Sequence, residues 1–132
     1  MRTKTIFVSI AIGTILMTVL PAQSACNAGA RNCPIELRMA RGSDTITVMG
    51  TTSPQRDCCT YRFRARRGQT LHWKYEGPTS RLVITYPDGN VDGPGIPSVI
   101  ALPSSGDYRL DVRPNLMAEN AFGSFKLSIT IK

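Results

Sequence analysis

The sequence is poor in the residues that most enzymes use for catalysis. It has one histidine, His72, and one tryptophan in 132 residues, and 9 acidic residues against 16 basic ones. A lone histidine cannot form a multi-histidine metal site, and it forms a Ser–His or Cys–His pair only if the fold supplies a distant partner. No two carboxylates share a face of a predicted strand at a catalytic spacing. We therefore expect a non-enzymatic protein with no catalytic residues, no metal and no cofactor.

Long apolar runs are also missing, except at the N-terminus. Residues 1–24 carry two basic residues near their start, Arg2 and Lys4, continue with an apolar stretch from Ile6 to Leu20 and end in small residues. This order is typical of a secretory signal peptide, cleaved here after Ser24. The stretch is shorter than the roughly 20 residues of a membrane span. We expect a periplasmic or secreted protein that does not span a membrane, with residues 25–132 forming a single domain of net charge +5, from 14 basic and 9 acidic residues.

Cysteines are few, and export makes disulfides their expected state. Gln23 stands three residues before Cys26, where a lipid-attachment motif has leucine, so the sequence does not favour a lipid anchor. Alternate residues of a strand point to the same face, and by this rule Cys33 and Cys59 each lie on the same face as the apolar residues that follow them. Both side chains would then point into the core, which favours a Cys33–Cys59 bridge inside and a Cys26–Cys58 bridge outside. A link from Cys26 to Cys59 stays open as the alternative. We expect no bridge between the adjacent Cys58 and Cys59, because it closes an eight-membered ring.

The remaining sequence alternates between apolar and polar residues, as half-buried strands do, and has no helical stripe. This pattern predicts an all-β, seven- to eight-stranded antiparallel sandwich, jelly-roll-like and tied at its N-terminus by disulfides. The predicted core consists of Leu37, Ile46, Val48, Tyr61, Phe63, Leu71, Trp73, Leu82, Ile84, Tyr108, Leu110, Phe125, Leu127 and Ile129.

One turn predicts a specific hairpin. Residues 66–68, Arg-Arg-Gly, separate two alternating runs, and a three-residue loop there pairs Phe63 with Leu71 and keeps every apolar residue on one face. In this register His72 faces outward opposite Arg62.

Basic residues cluster around the same predicted hairpin. The predicted basic face consists of Arg62, Arg64 and Arg66, with Lys74 across the hairpin. The simplest interpretation is a solvated strand face, and the functional one is a surface for an acidic partner or an anionic glycan. Export and the lack of outward aromatic residues exclude nucleic acid as the expected partner.

Residues 88–93, Asp-Gly-Asn-Val-Asp-Gly, match the first half of a calcium loop. The twelfth position of such a loop needs a bidentate glutamate, and this chain has Val99 there. A tight turn explains the same residues without an ion, so we favour the turn.

Four runs carry a family resemblance: YRFRARRGQTLHW, VITYPDGN, IALPSSGDYRLDVRP and SFKLSITIK. Together they resemble the bacterial pre-peptidase C-terminal-like β-sandwich over about Thr45 to Lys132. Among small exported proteins the pattern looks most like the periplasmic inhibitors of g-type lysozyme. The resemblance implies a sandwich that blocks the substrate cleft of a lysozyme-like hydrolase with loops at one end.

The resemblance also implies where such a partner would be contacted. The Ser-Gly-x-Tyr turn carries over as Ser105, Gly106 and Tyr108, and the loop before the last strand begins near Arg113. The expected inhibitor residues are Ser104, Ser105, Gly106, Asp107, Tyr108, Arg109, Arg113 and Asn115. The alternative is a general binding or accessory module for an envelope protein or an anionic glycan, acting through the basic face. The sequence leaves the oligomeric state open.

Overall fold

Nine β-strands and no helix make up the described part of the chain, which in this computed structural model comprises residues 26–55 and 58–132. The strands are β1 (Ile35–Glu36), β2 (Thr45–Thr52), β3 (Thr60–Ala65), β4 (Thr70–Glu76), β5 (Ser80–Thr85), β6 (Val91–Asp92), β7 (Val99–Ala101), β8 (Gly106–Pro114) and β9 (Gly123–Ile131). Within these residues, no helix is long and apolar enough to cross a membrane. The predicted signal peptide, residues 1–24, lies outside the described residues.

The strands form two sheets with the orders β1-β3-β8-β5-β6 and β2-β9-β4-β7. Every pairing is antiparallel except that of β1 with β3, which is parallel. The predicted all-β sandwich is confirmed. The strand count exceeds the predicted seven to eight because β1 and β6 are only two residues long, below the length at which an alternating pattern is visible.

The core lies between the two sheets and contains the inward positions predicted from alternation. Three of the predicted core residues, Ile46, Val48 and Trp73, are half-buried, and all the others are buried. Leu102 and Val112 are also fully buried, although they were not among the predicted core residues. Burying one such side chain contributes about 1.5–3 kcal/mol, so these contacts dominate the stability of the sandwich.

The predicted β3–β4 hairpin is wrong. Strands β3 and β4 belong to different sheets, and the turn at residues 66–69 is a corner between them. Phe63 pairs with Tyr108, and His72 lies between Val99 and Thr130 instead of opposite Arg62. A hairpin and a corner bury the same alternate residues, so the apolar pattern fits both. The corner lets β3 pair with β8, and this pairing stacks the rings of Phe63 and Tyr108 in the core with their centroids 5.3 Å apart.

The predicted disulfide pairing is also wrong, because the bridges are Cys26–Cys33 and Cys58–Cys59. A tight turn returns Cys33 to Cys26, with Gly29 N donating to Cys33 O at 2.8 Å. The backbone of this turn then contacts the start of β3, where Thr60 N donates to Gly29 O at 2.7 Å. Because the turn closes on itself, Cys58 and Cys59 are left to bridge each other.

Candidate functional site

Three loops meet at one end of the sandwich, which we call the Ser105 end. They are residues 66–69 between β3 and β4, residues 86–90 between β5 and β6, and residues 102–106, which connect β7 to β8 and include Gly106, the first residue of β8. Gly68 N donates to Leu102 O at 3.0 Å, and Leu102 N donates to Gln69 O at 2.8 Å. These bonds tie the corner to the turn before β8, so the two loops form one surface.

Tyr108 fixes this turn from inside the sandwich. Its ring is fully buried, stacked on Phe63 and in edge contact with Tyr86, whose centroid is 5.8 Å away. The Tyr108 hydroxyl donates to Ser104 O at 2.6 Å and accepts from Ser104 N at 3.3 Å. A rigid aromatic side chain therefore holds both backbone groups of Ser104, and the expectation that Tyr108 packs inward is confirmed.

Ser105 is the exposed residue of the turn, and Gly106 after it is half-buried. Ser105 Oγ accepts a hydrogen bond from Arg67 N at 2.9 Å, so the hydroxyl hydrogen remains available to donate outward. Gly106 has φ 144°, which side chains disfavour, and a Cβ there would lie 3.0 Å from Pro87 Cβ. A glycine is therefore required where the turn enters β8 under the neighbouring loop.

The outer face of the five-stranded sheet continues from this end, and Arg62, Arg64 and Arg109 lie on it. Arg62 donates to Glu36 at 2.5 Å, and Arg64 lies 3.5 Å from Asp107. The hydrogen bond from Arg62 lowers the pKa of Glu36, and the same bond raises the pKa of Arg62. Arg109 lies directly opposite Arg62 and donates to the backbone carbonyl oxygen of Arg31. This acceptor is neutral, so the bond does not balance the positive charge of Arg109.

The predicted basic face is not one surface. Lys74 pairs with Ser128 in the four-stranded sheet, so it lies on the opposite side of the sandwich from Arg62. Arg66 lies in the corner after β3, where its N–H donates to Gln69 Oε1 at 2.6 Å. The prediction placed Lys74 beside the arginines because it assumed the β3–β4 hairpin.

Arg113 and Asn115 lie at the other end of β8 from Ser105. Eight residues of antiparallel strand separate Ser105 from Arg113, or about 27 Å at the usual rise. Arg113 lies 3.8 Å from the buried carboxylate of Asp111, which accepts a hydrogen bond from Thr60 Oγ1. The expected inhibitor residues therefore divide into Ser104–Tyr108 at the Ser105 end, Arg109 in the middle of β8 beside the N-terminal turn, and Arg113 with Asn115 at the far end.

The residues of the half calcium motif form a turn. Asp88 accepts hydrogen bonds from both the backbone and the side-chain nitrogen of Asn90, at 2.9 and 3.0 Å. Asp92 accepts a hydrogen bond from the Tyr86 hydroxyl at 2.8 Å. Burial of the Tyr86 hydroxyl, and to a lesser extent this hydrogen bond, raise the pKa of Tyr86 to about 12. In residues 26–55 and 58–132 no three His, Cys, Asp or Glu side chains are grouped as metal ligands would be.

Sequence reasoning missed the residues that support the turn. Arg67, Gln69 and Pro87 each contact the 102–106 loop or the corner bound to it. The turn signals at residues 66–68 and 87–89 were visible in the sequence. That these turns meet at one end depends on the order of strands in the sheets, which local patterns do not contain.

Comparison with solved structures identifies the fold. The crystal structure of Salmonella Typhimurium PliG, a periplasmic lysozyme inhibitor of g-type lysozyme, matches with a TM-score of 0.57 and 22% identity, covering 75% of this chain and 97% of that one. The chain has the fold of this inhibitor. Aeromonas hydrophila PliG, also a periplasmic inhibitor of g-type lysozyme, matches with a TM-score of 0.59 and 19% identity over 80% of this chain and 100% of that one.

A mutant of the Escherichia coli inhibitor, PliG-Ec, matches with a TM-score of 0.55 and 22% identity, covering 75% of this chain and 97% of that one. No protein-family model matches the chain, and no curated protein sequence matches it. At these identities the PliG structures establish the sandwich fold. The pre-peptidase C-terminal-like resemblance remains an interpretation of the sequence.

Proposed function

We propose that this protein is a non-enzymatic, periplasmic inhibitor of a g-type lysozyme that blocks the substrate cleft with its Ser105 end. The observation that carries the proposal is the rigid turn at residues 104–108. Buried Tyr108 holds the turn from inside, and Arg67 N holds Ser105 from the side. A turn that is ordered before binding loses little conformational entropy in a complex, which favours affinity.

The chemistry of the turn suits a lysozyme cleft. Glycoside hydrolases cleave with paired carboxyl groups in a deep groove. The Ser105 hydroxyl keeps its hydrogen free to donate to such a carboxylate, while the exposed Arg67 supplies positive charge at the same end. Hydrogen bonds to a charged acceptor are about twice as strong as neutral ones, so a few contacts suffice to hold the plug.

The described functions of the fold neighbours support the same proposal. All three are periplasmic lysozyme inhibitors of g-type lysozyme. The predicted signal peptide at residues 1–24 agrees with a periplasmic location. The net positive charge of the chain disfavours strongly basic chicken-type lysozymes as targets, because like charges slow encounter and weaken binding.

The proposal is tested by titrating the purified protein against goose-type, chicken-type and invertebrate-type lysozymes acting on cell-wall substrate. We expect inhibition of the goose-type enzyme at micromolar protein or below and weaker inhibition of the chicken-type enzyme. Absence of inhibition of all three enzymes at about 10 µM protein would refute the proposal, since specific inhibitor complexes are far tighter than this.

Two tryptophan substitutions at opposite ends locate the contact. Ser105→Trp places a bulky side chain on the proposed plug and should weaken inhibition at least about 30-fold, as expected for a central interface residue. Met117→Trp, at a side chain 93% exposed beyond the far end of β8, is the matched control and should change inhibition less than about twofold. Equal loss in both variants, or loss only in Met117→Trp, would place the contact elsewhere.

The arginines of the five-stranded sheet favour a second candidate, an accessory module that binds an acidic envelope partner or anionic glycan. Like charges directly opposite each other destabilise a strand pair, yet Arg62 faces Arg109. Arg62→Glu combined with Arg64→Glu should abolish binding to such a partner in pull-downs from envelope extract. The same double variant should leave lysozyme inhibition by the Ser105 turn largely intact, so the two candidates have opposite readouts.

A further inference from the structure

Strand β2 forms the long free edge of the four-stranded sheet. Among the described residues it has β9 on one side and no strand on the other. The sheet edges formed by β1, β6 and β7 have two, two and three residues, whereas β2 has eight. Short edges are one way in which proteins avoid edge-to-edge pairing, and β2 is not protected in this way.

The register shows which backbone groups face outward. Ile131 N donates to Asp44 O at 2.9 Å, so the groups of every second residue from Asp44 onward point to β9. The groups of Thr45, Thr47, Met49 and Thr51 therefore point to the open edge. The close side-chain contacts of Thr45 with Thr130 and of Thr47 with Ser128, both 2.9 Å, agree with this assignment, because such pairs are the closely spaced ones.

Both ends of this edge are covered, and its centre is free. Ser43 Oγ bonds the N–H and the C=O of Thr45, at 3.3 and 3.1 Å. The Cys58 sulfur lies 3.1 Å from the Thr51 carbonyl oxygen. Within residues 26–55 and 58–132, Thr47 and Met49 are left with both edge-facing N–H and C=O groups unpaired.

The edge also lacks charges. Residues 45–52 read Thr-Ile-Thr-Val-Met-Gly-Thr-Thr, without lysine, proline or any acidic residue. Lysine and proline are the usual residues that prevent pairing at an exposed strand. The chain carries a net charge of +7, so an uncharged segment is where two copies can approach without like charges meeting.

We propose that a second copy of this chain pairs with β2 in antiparallel orientation about a two-fold axis at Val48. In this register Thr47 of each copy lies opposite Met49 of the other. The two residue pairs form four backbone hydrogen bonds and use every group that the centre of the edge leaves free. An isologous dimer requires a surface that is complementary to itself under a two-fold rotation, and the free groups of this edge meet that requirement. The pairing would join the two four-stranded sheets into one sheet of eight strands.

Sedimentation velocity on protein purified after expression of the full chain tests the dimer. We expect a reversible monomer–dimer equilibrium between about 10 µM and about 1 mM, because four hydrogen bonds on a narrow edge make a weak contact. Hydrogen exchange read by NMR should show the Thr47 and Met49 amides at least about tenfold more protected at the upper concentration. A monomer throughout this range would refute the proposal.

Substitutions on the two edges of the same sheet separate this pairing from general association. Met49→Lys changes a side chain 77% exposed on β2 and should weaken dimerisation at least about tenfold. Val99→Lys adds the same charge on β7, at a side chain 51% exposed, and should change it less than about twofold. Equal weakening by the two lysines, or a dimer whose Thr47 and Met49 amides stay unprotected, would overturn the β2 assignment.

Thr47→Pro removes one edge donor without removing a bond to β9, since the Thr47 N–H faces outward. This variant should be monomeric while a circular dichroism spectrum dominated by strand shows that it is folded. A folded Thr47→Pro protein that dimerises like the parent would contradict the proposal. If Thr47→Pro unfolds, the comparison of dimerisation between Met49→Lys and Val99→Lys tests the β2 pairing in its place.

Discussion

At the scale of single residues, Tyr108 connects the core to the exposed turn. Its ring packs between Phe63 and Tyr86, and its hydroxyl holds the backbone of Ser104. The ring therefore contributes to stability and the hydroxyl to the shape of the turn. These two roles can be separated, because phenylalanine keeps the ring and removes only the hydroxyl.

Tyr108→Phe should lower the free energy of unfolding by about 1 kcal/mol, the usual net value of a buried hydrogen bond. On the proposed function it should also weaken lysozyme inhibition, since Ser104 and Ser105 lose their support. Tyr75→Phe is the matched control, because the Tyr75 hydroxyl donates to Pro78 O at the other end of the sandwich. Denaturant unfolding measures the change in stability of each variant, and an inhibition assay measures the change in lysozyme inhibition. Inhibition lost equally in the two variants would show a general effect of stability.

At the scale of elements, the two-residue strand β1 joins the N-terminal turn to the sandwich. It pairs in parallel with β3, and the ion pair between Glu36 and Arg62 lies across the two strands. The lowered pKa of Glu36, caused first by its hydrogen bond to Arg62, makes this contact pH-dependent. Because Arg62 is exposed and Glu36 is partly exposed, solvent screens the pair and its contribution to stability is small.

The sign of this pH dependence follows from linkage. A carboxyl group whose folded pKa is depressed stabilises the fold above its ordinary pKa and loses that effect as the pH falls through the folded pKa. Glu36→Gln should therefore lower the melting temperature near neutral pH, and the difference from the parent should vanish in acid. Arg62→Gln should show the same trend, and the double variant should add little to either. A difference that persists in acid would assign the effect to packing.

At the scale of the whole molecule, the core between the two sheets supplies most of the stability. Phe125 on β9 illustrates how closely it is packed. A Cβ added at Gly50 or at Gly77 would lie 2.6 Å from Phe125 atoms, so the two glycines leave the space that its side chain fills. Its ring also contacts Tyr75, with centroids 5.7 Å apart. A smaller side chain at Phe125 would leave a cavity between the sheets.

Phe125→Ala should lower the free energy of unfolding by about 3–5 kcal/mol, the sum of lost burial and the cavity. Phe122→Ala, at a side chain that is 42% exposed in the preceding loop, makes the same chemical change outside the core. It should cost clearly less, about 1 kcal/mol, because much of this side chain is already in solvent. Chemical denaturation of the two variants measures the contrast. Similar losses would mean that Phe125 is not a core residue in solution.

The amino-acid sequence by itself determined the elements and their buried faces. Alternation of apolar and polar residues identified the longer strands and most of the core, because a side-chain period of two is a local property of extended backbone. The turn at residues 104–108 was recognised through the family resemblance, from its Ser-Gly-x-Tyr residues Ser105, Gly106 and Tyr108. These features depend on neighbouring residues alone.

The tertiary structure decided which elements meet. Phe63 packs on Tyr108 instead of pairing with Leu71, and Cys33 joins Cys26 instead of Cys59. Alternation predicts which face of a strand is buried, but it does not predict which strand lies beside it. A hairpin and a corner between sheets bury the same residues. The separation of Arg113 from the Ser105 end and of Lys74 from Arg62 follows from that same choice of partners, which only the packing of the two complete sheets determines.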